Sequence, residues 1–184
     1  MTRLLAYTRT AITLHWLMAL LVFVTFPLGL VMSEMALSPN KLRLLSYHKW
    51  LGVTVFILVM VRLLWRASNK PAPLLATMPH WQRVAANAVH VLLYVLLFAI
   101  PLSGWLMSSA KGFQTVYLGM LPLPDLLSKD KVLGDALAAL HEVLNIALLA
   151  LVVAHVAAAV KHQFVDRDGT LARMLPFLDR STSK

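Results

Sequence analysis

One apolar run near the C-terminus constrains this chain more than any other stretch. Residues 137–164 read LAALHEVLNIALLALVVAHVAAAVKHQF, long enough to cross a bilayer, yet the run holds three histidines, His141, His155 and His162. At about 100° per residue, steps of fourteen and seven return to within roughly 40° and 20° of the same helix face, so all three lie on one stripe. At about 1.5 Å rise per residue, His141 and His155 stand roughly 21 Å apart along the axis. That sets one near each edge of a hydrocarbon core about 30 Å thick. Ionisable side chains in a membrane helix are costly and usually face the bundle interior for a functional reason. Two imidazoles on one face, one per leaflet, point to two stacked metal or haem sites.

The rest of the chain is as apolar as this run demands. Of 184 residues 59% are hydrophobic, and the mean hydropathy of +0.73 is that of an integral membrane protein. There is no cysteine. That excludes disulfides, thiolate-held iron–sulfur clusters and covalently attached c-type haem, so any haem is held non-covalently. The net charge of +9 points to membrane topology rather than to nucleic acid. The first apolar run, 11–32, is full-length and no small-residue cleavage site follows it, so it is expected to remain as a span.

Four spans are expected, at about 11–32, 47–65, 83–107 and 137–163, in a single domain covering 1–184. Trp16 sits at interfacial depth, and Pro27 and Pro101 are expected to kink their helices. Between the spans, 33–47 reads as a polar connection and 67–82 as a proline-rich loop. The segment 108–135 reads as the longest loop, with room for a short amphipathic helix. With the N-terminus inside, the cytoplasmic segments hold Arg3, Arg9, Arg62, Arg66, Lys70, Arg83, Lys161, Arg167, Arg173, Arg180 and Lys184. The other side holds Lys41, Arg43, Lys49, Lys111, Lys129 and Lys131, and eleven against six favours cytoplasmic termini.

Alternating helix direction then assigns depth. His15 and His155 share the cytoplasmic leaflet, while His48 and His141 share the periplasmic one, each pair drawn from two helices. The fold expected is an all-α, four-helix up–down bundle enclosing two b-type haems, each with bis-imidazole ligation from opposite sides. Such ligation leaves iron no open position, which suits electron transfer. A lone histidine near a helix end is ordinarily an interfacial residue. Four at two matched depths, two of them on one stripe, are not explained that way. A zinc site would want tighter clustering, often with carboxylates, and Glu142 is the one carboxylate within a span. His80 reads as a solvated loop residue. His90 and His162 lie too shallow for axial ligands. They are either headgroup contacts or, with Tyr94, a polar pocket where a quinone carbonyl accepts a hydrogen bond and protons are relayed. Arg9, Arg62, Arg66 and Lys49 lie at haem-edge depth, where they could neutralise propionates or snorkel to headgroups.

Several motifs, in order, carry a family resemblance: TLHW at 13–16, YHKWLG at 47–52, VRLLWR at 61–66, HVLLYVLLFAIP at 90–101, LHEVLN at 140–145 and LARMLP at 171–176. Together they span nearly the whole chain, which resembles the prokaryotic cytochrome b561 family and, within it, the superoxide-oxidising members. The resemblance implies two haem b groups in a bacterial inner membrane, and electron flow from periplasmic superoxide to ubiquinone at the cytoplasmic side. It also implies that His90 and His162 border the quinone. Lys49, Lys111, Lys129 and Lys131 could steer a small anion to the outer haem edge, although Asp125, Asp130 and Asp135 dilute that charge. The alternative is a non-enzymatic conduit exchanging electrons with a protein redox partner.

Overall fold

The computed structural model describes residues 7–69, 72–73 and 78–178. Arg3, Lys70, Arg180 and Lys184 of the charge count lie outside them. Four long helices dominate: α1 (Arg9–Glu34), α2 (Pro39–Ser68), α3 (His80–Ala110) and α4 (Lys131–Lys161). Each contains a stretch long and apolar enough to cross a membrane. The chain is an all-α membrane four-helix bundle. Successive helices run antiparallel, so the start of α1 and the end of α4 lie at one end of the bundle, here called the termini end. The α3–α4 connection covers the other, the hairpin end.

The helix starts explain where the elements exceed their sequence-based bounds. α2 begins well inside the segment read as a polar connection, because Ser38 caps it through the Lys41 N–H at 3.2 Å and Pro39 occupies the first turn. α4 likewise begins at Lys131, with Asp130 accepting from the Leu133 N–H at 3.0 Å. Thr8 caps α1 in the same way. Pro27 and Pro101 lie inside α1 and α3.

The remaining loop holds no amphipathic helix. It forms a two-stranded antiparallel hairpin, β1 (Val116–Tyr117) with β2 (Leu121–Pro122). Leu118 (φ 53°) and Gly119 (φ 73°) turn it, a geometry that favours glycine at the second position. Trp50 Nε1 donates to the Val116 carbonyl at 2.7 Å, and Tyr117 Oη lies 3.0 Å from Thr54 Oγ1. These bonds fasten the hairpin across α2. At the termini end, Trp16 Nε1 donates to the Met174 carbonyl at 2.9 Å and folds the C-terminal turns back over α1.

The interior is thin. Met18, Val55, Val59, Leu96, Ile100 and Leu148 are buried, whereas Phe23, Val91, Val143 and Ile146 are largely exposed on the outer faces. Such an apolar exterior is what a lipid environment accepts.

Candidate functional site

The structure brings the histidines together at two levels. At the hairpin end, His48 of α2 and His141 of α4 have ring centres 6.3 Å apart with planes at 77°. At the termini end, His15 of α1 and His155 of α4 have ring centres 6.2 Å apart with planes at 69°. Two metal–imidazole bonds of about 2 Å plus the ring radius at each end sum to roughly 6.3 Å. Both pairs therefore fit a single iron between them. His90 of α3 also reaches the termini-end cluster, but its ring centre is 5.4 Å from that of His155, too close for opposed ligands of one metal.

The hairpin-end level is built from small residues and a fixed proton. A Cβ on Gly29 would lie 3.0 Å from His48 Cε1, and one on Gly104 would lie 3.1 Å from His141 Cε1. The neighbouring helix thus backs each imidazole with bare main chain, and Nε2 is the ring nitrogen farthest from the glycine in both cases. Gly52, one turn along α2 from His48, borders the cavity between the two rings, and a Cβ there would meet nothing within 4 Å. The site can therefore take a flat group against α2. His141 Nδ1 donates to the Ile100 carbonyl at 3.0 Å, with Ser103 Oγ at 2.9 Å. A carbonyl only accepts, so Nδ1 carries the proton and the Nε2 lone pair is free for a metal.

His15 differs. Arg62 Nη1 lies 3.2 Å from His15 Nδ1, and a guanidinium only donates, so here Nδ1 accepts and Nε2 bears the proton. The Arg62 and Arg66 guanidinium carbons lie 5.6 and 5.8 Å from the Tyr94 ring centre, within cation–π range. Of the two further cations expected at haem-edge depth, Arg9 is exposed, and Lys49 Nζ donates to the Phe113 carbonyl at 2.8 Å.

His90 and His162 have different surroundings. His90 borders a cavity of about 490 Å³ at the termini end, together with Arg66, His80, Arg83 and Asn87. His80 starts α3 at the rim of this cavity. His162 instead begins a π-helical turn, His162–Asp166, and its Nδ1 lies 2.7 Å from Asp168 Oδ2 and 3.0 Å from Asp166 Oδ2. Burial pushes the Asp168 carboxyl up, but hydrogen bonds from Thr170 and from the His162 ring outweigh it and hold it below its ordinary value. A carboxylate with a lowered pKa stabilises the turn at neutral pH. That contribution is lost only as pH falls through the lowered value.

The comparisons with known proteins agree with this architecture. The family described as prokaryotic cytochrome b561 matches residues 6–177. The chain belongs to the prokaryotic cytochrome b561 family. It is 36% identical over 162 residues to cytochrome b561 homolog 2 of Escherichia coli K12, covering 88% of this chain and 86% of that one. Cytochrome b561 homolog 1 of the same organism is 28% identical over 180 residues, with 92% and 97% covered. A probable superoxide oxidase, CybB, of Yersinia pestis is 28% identical over 178 residues, with 92% and 96% covered. As a b561-family member the protein is a membrane electron-transfer protein that binds haem b. The donor set described above, neutral imidazoles with no thiolate, suits that cofactor.

The seats behind the imidazoles went unread at the sequence level. Gly29 and Gly104 were available as signals, since a glycine within an apolar helix marks a close approach. Nothing in the local sequence signals that Arg62 meets His15 or that Asp168 meets His162.

Proposed function

We propose that this chain is a di-haem b cytochrome of the bacterial inner membrane that carries single electrons between a periplasmic donor at the hairpin end and ubiquinone at the termini end. The observation that carries the reading is the matched spacing of two imidazole pairs, 6.3 and 6.2 Å, about fourteen residues of α4 apart. His48 and His141 would hold one haem, and His15 and His155 the other. When bound, haem b would supply reversible one-electron chemistry. The residues around it do the rest. Gly29 and Gly104 admit the rings, and the Ile100 carbonyl fixes the His141 tautomer. Ligation through His15 Nε2 needs the ring proton on Nδ1, so Arg62 must give up that nitrogen. A propionate carboxylate is the anion it would then pair with.

The orientation rests on the sequence count of eleven Lys and Arg in the segments assigned to the cytoplasmic side against six in the others. A reporter fused after Lys184 is expected to read cytoplasmic, and one inserted near Lys129 periplasmic. Opposite signals invert the assignment of donor and acceptor faces.

Superoxide is the first donor reading. It rests on the Yersinia pestis relative and on lysines near the hairpin end. A protein donor is the second, favoured because Lys111 and Lys131 both pair with Asp135, at 3.3 and 2.8 Å, and Lys49 is engaged by a carbonyl. One carboxylate shared by two lysines lowers the local positive charge without cancelling it, which weakens the steering of a small anion. A reduced-minus-oxidised spectrum with haem quantification tests the cofactor count. Mixing the purified protein alone with superoxide then separates the donors: rapid reduction supports superoxide, and no reduction leaves a protein partner as donor.

A further inference from the structure

The bundle contains a repeat that neither motif nor family resemblance displays. Residues of α1 recur in α3 75 positions later: His15 as His90, Leu21 as Leu96, Phe23 as Phe98, Gly29 as Gly104, Met32 as Met107 and Ser33 as Ser108. Residues of α2 recur in α4 93 positions later: His48 as His141, Leu51 as Leu144, Leu58 as Leu151 and Val59 as Val152. α1 relates to α2 as α3 relates to α4.

Side-chain geometry obeys the same pairing. From a Cβ on Gly29 the distances to His48 Cε1, Nδ1 and Nε2 would be 3.0, 3.5 and 4.0 Å; from one on Gly104 to the same atoms of His141 they would be 3.1, 3.4 and 3.9 Å. Every residue bordering the cavity between His48 and His141 has its repeat partner on the opposite wall, as Val22 has Leu97, Gly52 has Asn145 and Val55 has Leu148. A pseudo-twofold axis therefore runs along the bundle, between His48 and His141.

At the termini end the same axis relates His15 to His90, and Arg62 to His155. The contacts follow it: Arg62 lies against His15, at 3.2 Å, as His155 lies against His90, with ring centres 5.4 Å apart. The symmetry breaks in one side chain. α2 carries an arginine where α4 carries a histidine. The His15–His155 pair thus has a twofold image, His90 with position 62. A histidine at position 62 would complete a second pair at equivalent spacing. An arginine cannot, because its guanidinium keeps its protons and offers no lone pair to a metal.

We propose that Arg62 is a specificity-determining residue: by withholding a fourth imidazole it confines the termini-end haem to His15 and His155, and leaves His90 unligated against the cavity bordered by Arg66, His80 and Arg83. The inference rests on the haem reading above and adds which of two equivalent histidine pairs takes the group. One end of the bundle is symmetric and the other is made one-sided, which frees an imidazole for a second ligand beside the haem site.

The test transposes the asymmetry. His155→Arg is expected to hold one haem per polypeptide, at the hairpin end, which also reports that the bundle is folded. The double variant Arg62→His/His155→Arg is expected to return to two haems with a low-spin bis-histidine spectrum. Adding His90→Ala to the double variant should remove the regained haem, whereas adding His15→Ala should not. A second route avoids an arginine at position 155: Arg62→His/His15→Ala should hold two haems where His15→Ala holds one. If neither double variant binds more haem than its single parent, Arg62 does not select the pair and the proposal fails. If His155→Arg itself keeps two haems, the ligand reading fails instead, a result that a wrong repeat cannot produce.

Discussion

His48→Ala and His141→Ala are each expected to halve the haem bound per polypeptide, and the haem that remains should be the same one in both variants. His15→Ala and His155→Ala should also halve it, but leave the other haem. The pairing follows from ring centres 6.3 Å apart in one case and 6.2 Å in the other. Haem quantification and the reduced-minus-oxidised spectrum of each variant check it, provided the two haems differ in band position or midpoint potential. Removing one neutral imidazole leaves a five-coordinate iron, so residual binding would also show as a high-spin band. Gly104→Val should behave as a weaker His141→Ala. A Cβ there already meets His141 Cε1 at 3.1 Å, and overpacking of this kind costs about 1–3 kcal/mol. If His15→Ala and His48→Ala deplete the same haem, the assignment by level is wrong.

Much of this arrangement was legible before any coordinates. Rise per residue and alternating helix direction fix depth, so His15 could be set level with His155 and His48 level with His141 from spacing alone. Lipid removes other options for long apolar runs, which is why four spans read as a helical bundle. What lies around each ring was not legible, because it depends on which helix stands next to which. Arg62 reads as a snorkelling or propionate-pairing residue, yet it meets His15 because α1 and α2 pack side by side at that level. His162 shares a helix face with His155, which pointed to a common pocket. Periodicity says nothing about the chain beyond the helix end, however. There the backbone reverses through Arg167 (φ 52°) and Gly169 (φ 77°) and delivers Asp168 onto the ring. The hairpin between α3 and α4 was missed for a similar reason. Its strands are two residues long, too short for any alternation to show.

His90→Ala is expected to keep both haems and to slow electron exchange with ubiquinone by roughly a hundredfold or more, the scale on which a positioned proton donor acts. His90 adjoins the His15–His155 level at one side, with its ring centre 5.4 Å from that of His155. On the other side it borders a cavity of about 490 Å³, within the range of about 300–1,000 Å³ usual for small-molecule sites. An imidazole so placed can hold a quinone carbonyl and supply a proton as charge arrives. Arg66 and Arg83 border the same cavity, and their positive charge favours a headgroup that gains electron density. His162→Ala should slow the exchange less. His162 does not border that cavity, and its Nδ1 is held by Asp168 at 2.7 Å, which suits a proton route from solvent more than direct contact. The measurement is stopped-flow reduction from the hairpin side followed by reoxidation with a soluble ubiquinone. The reduction phase should match wild type in both variants, since that step takes place at the opposite level of the bundle. If both variants reoxidise at the wild-type rate, the two histidines are headgroup contacts and the quinone binds elsewhere. If His90→Ala loses a haem, His90 is itself a ligand and the His15–His155 pairing falls with it.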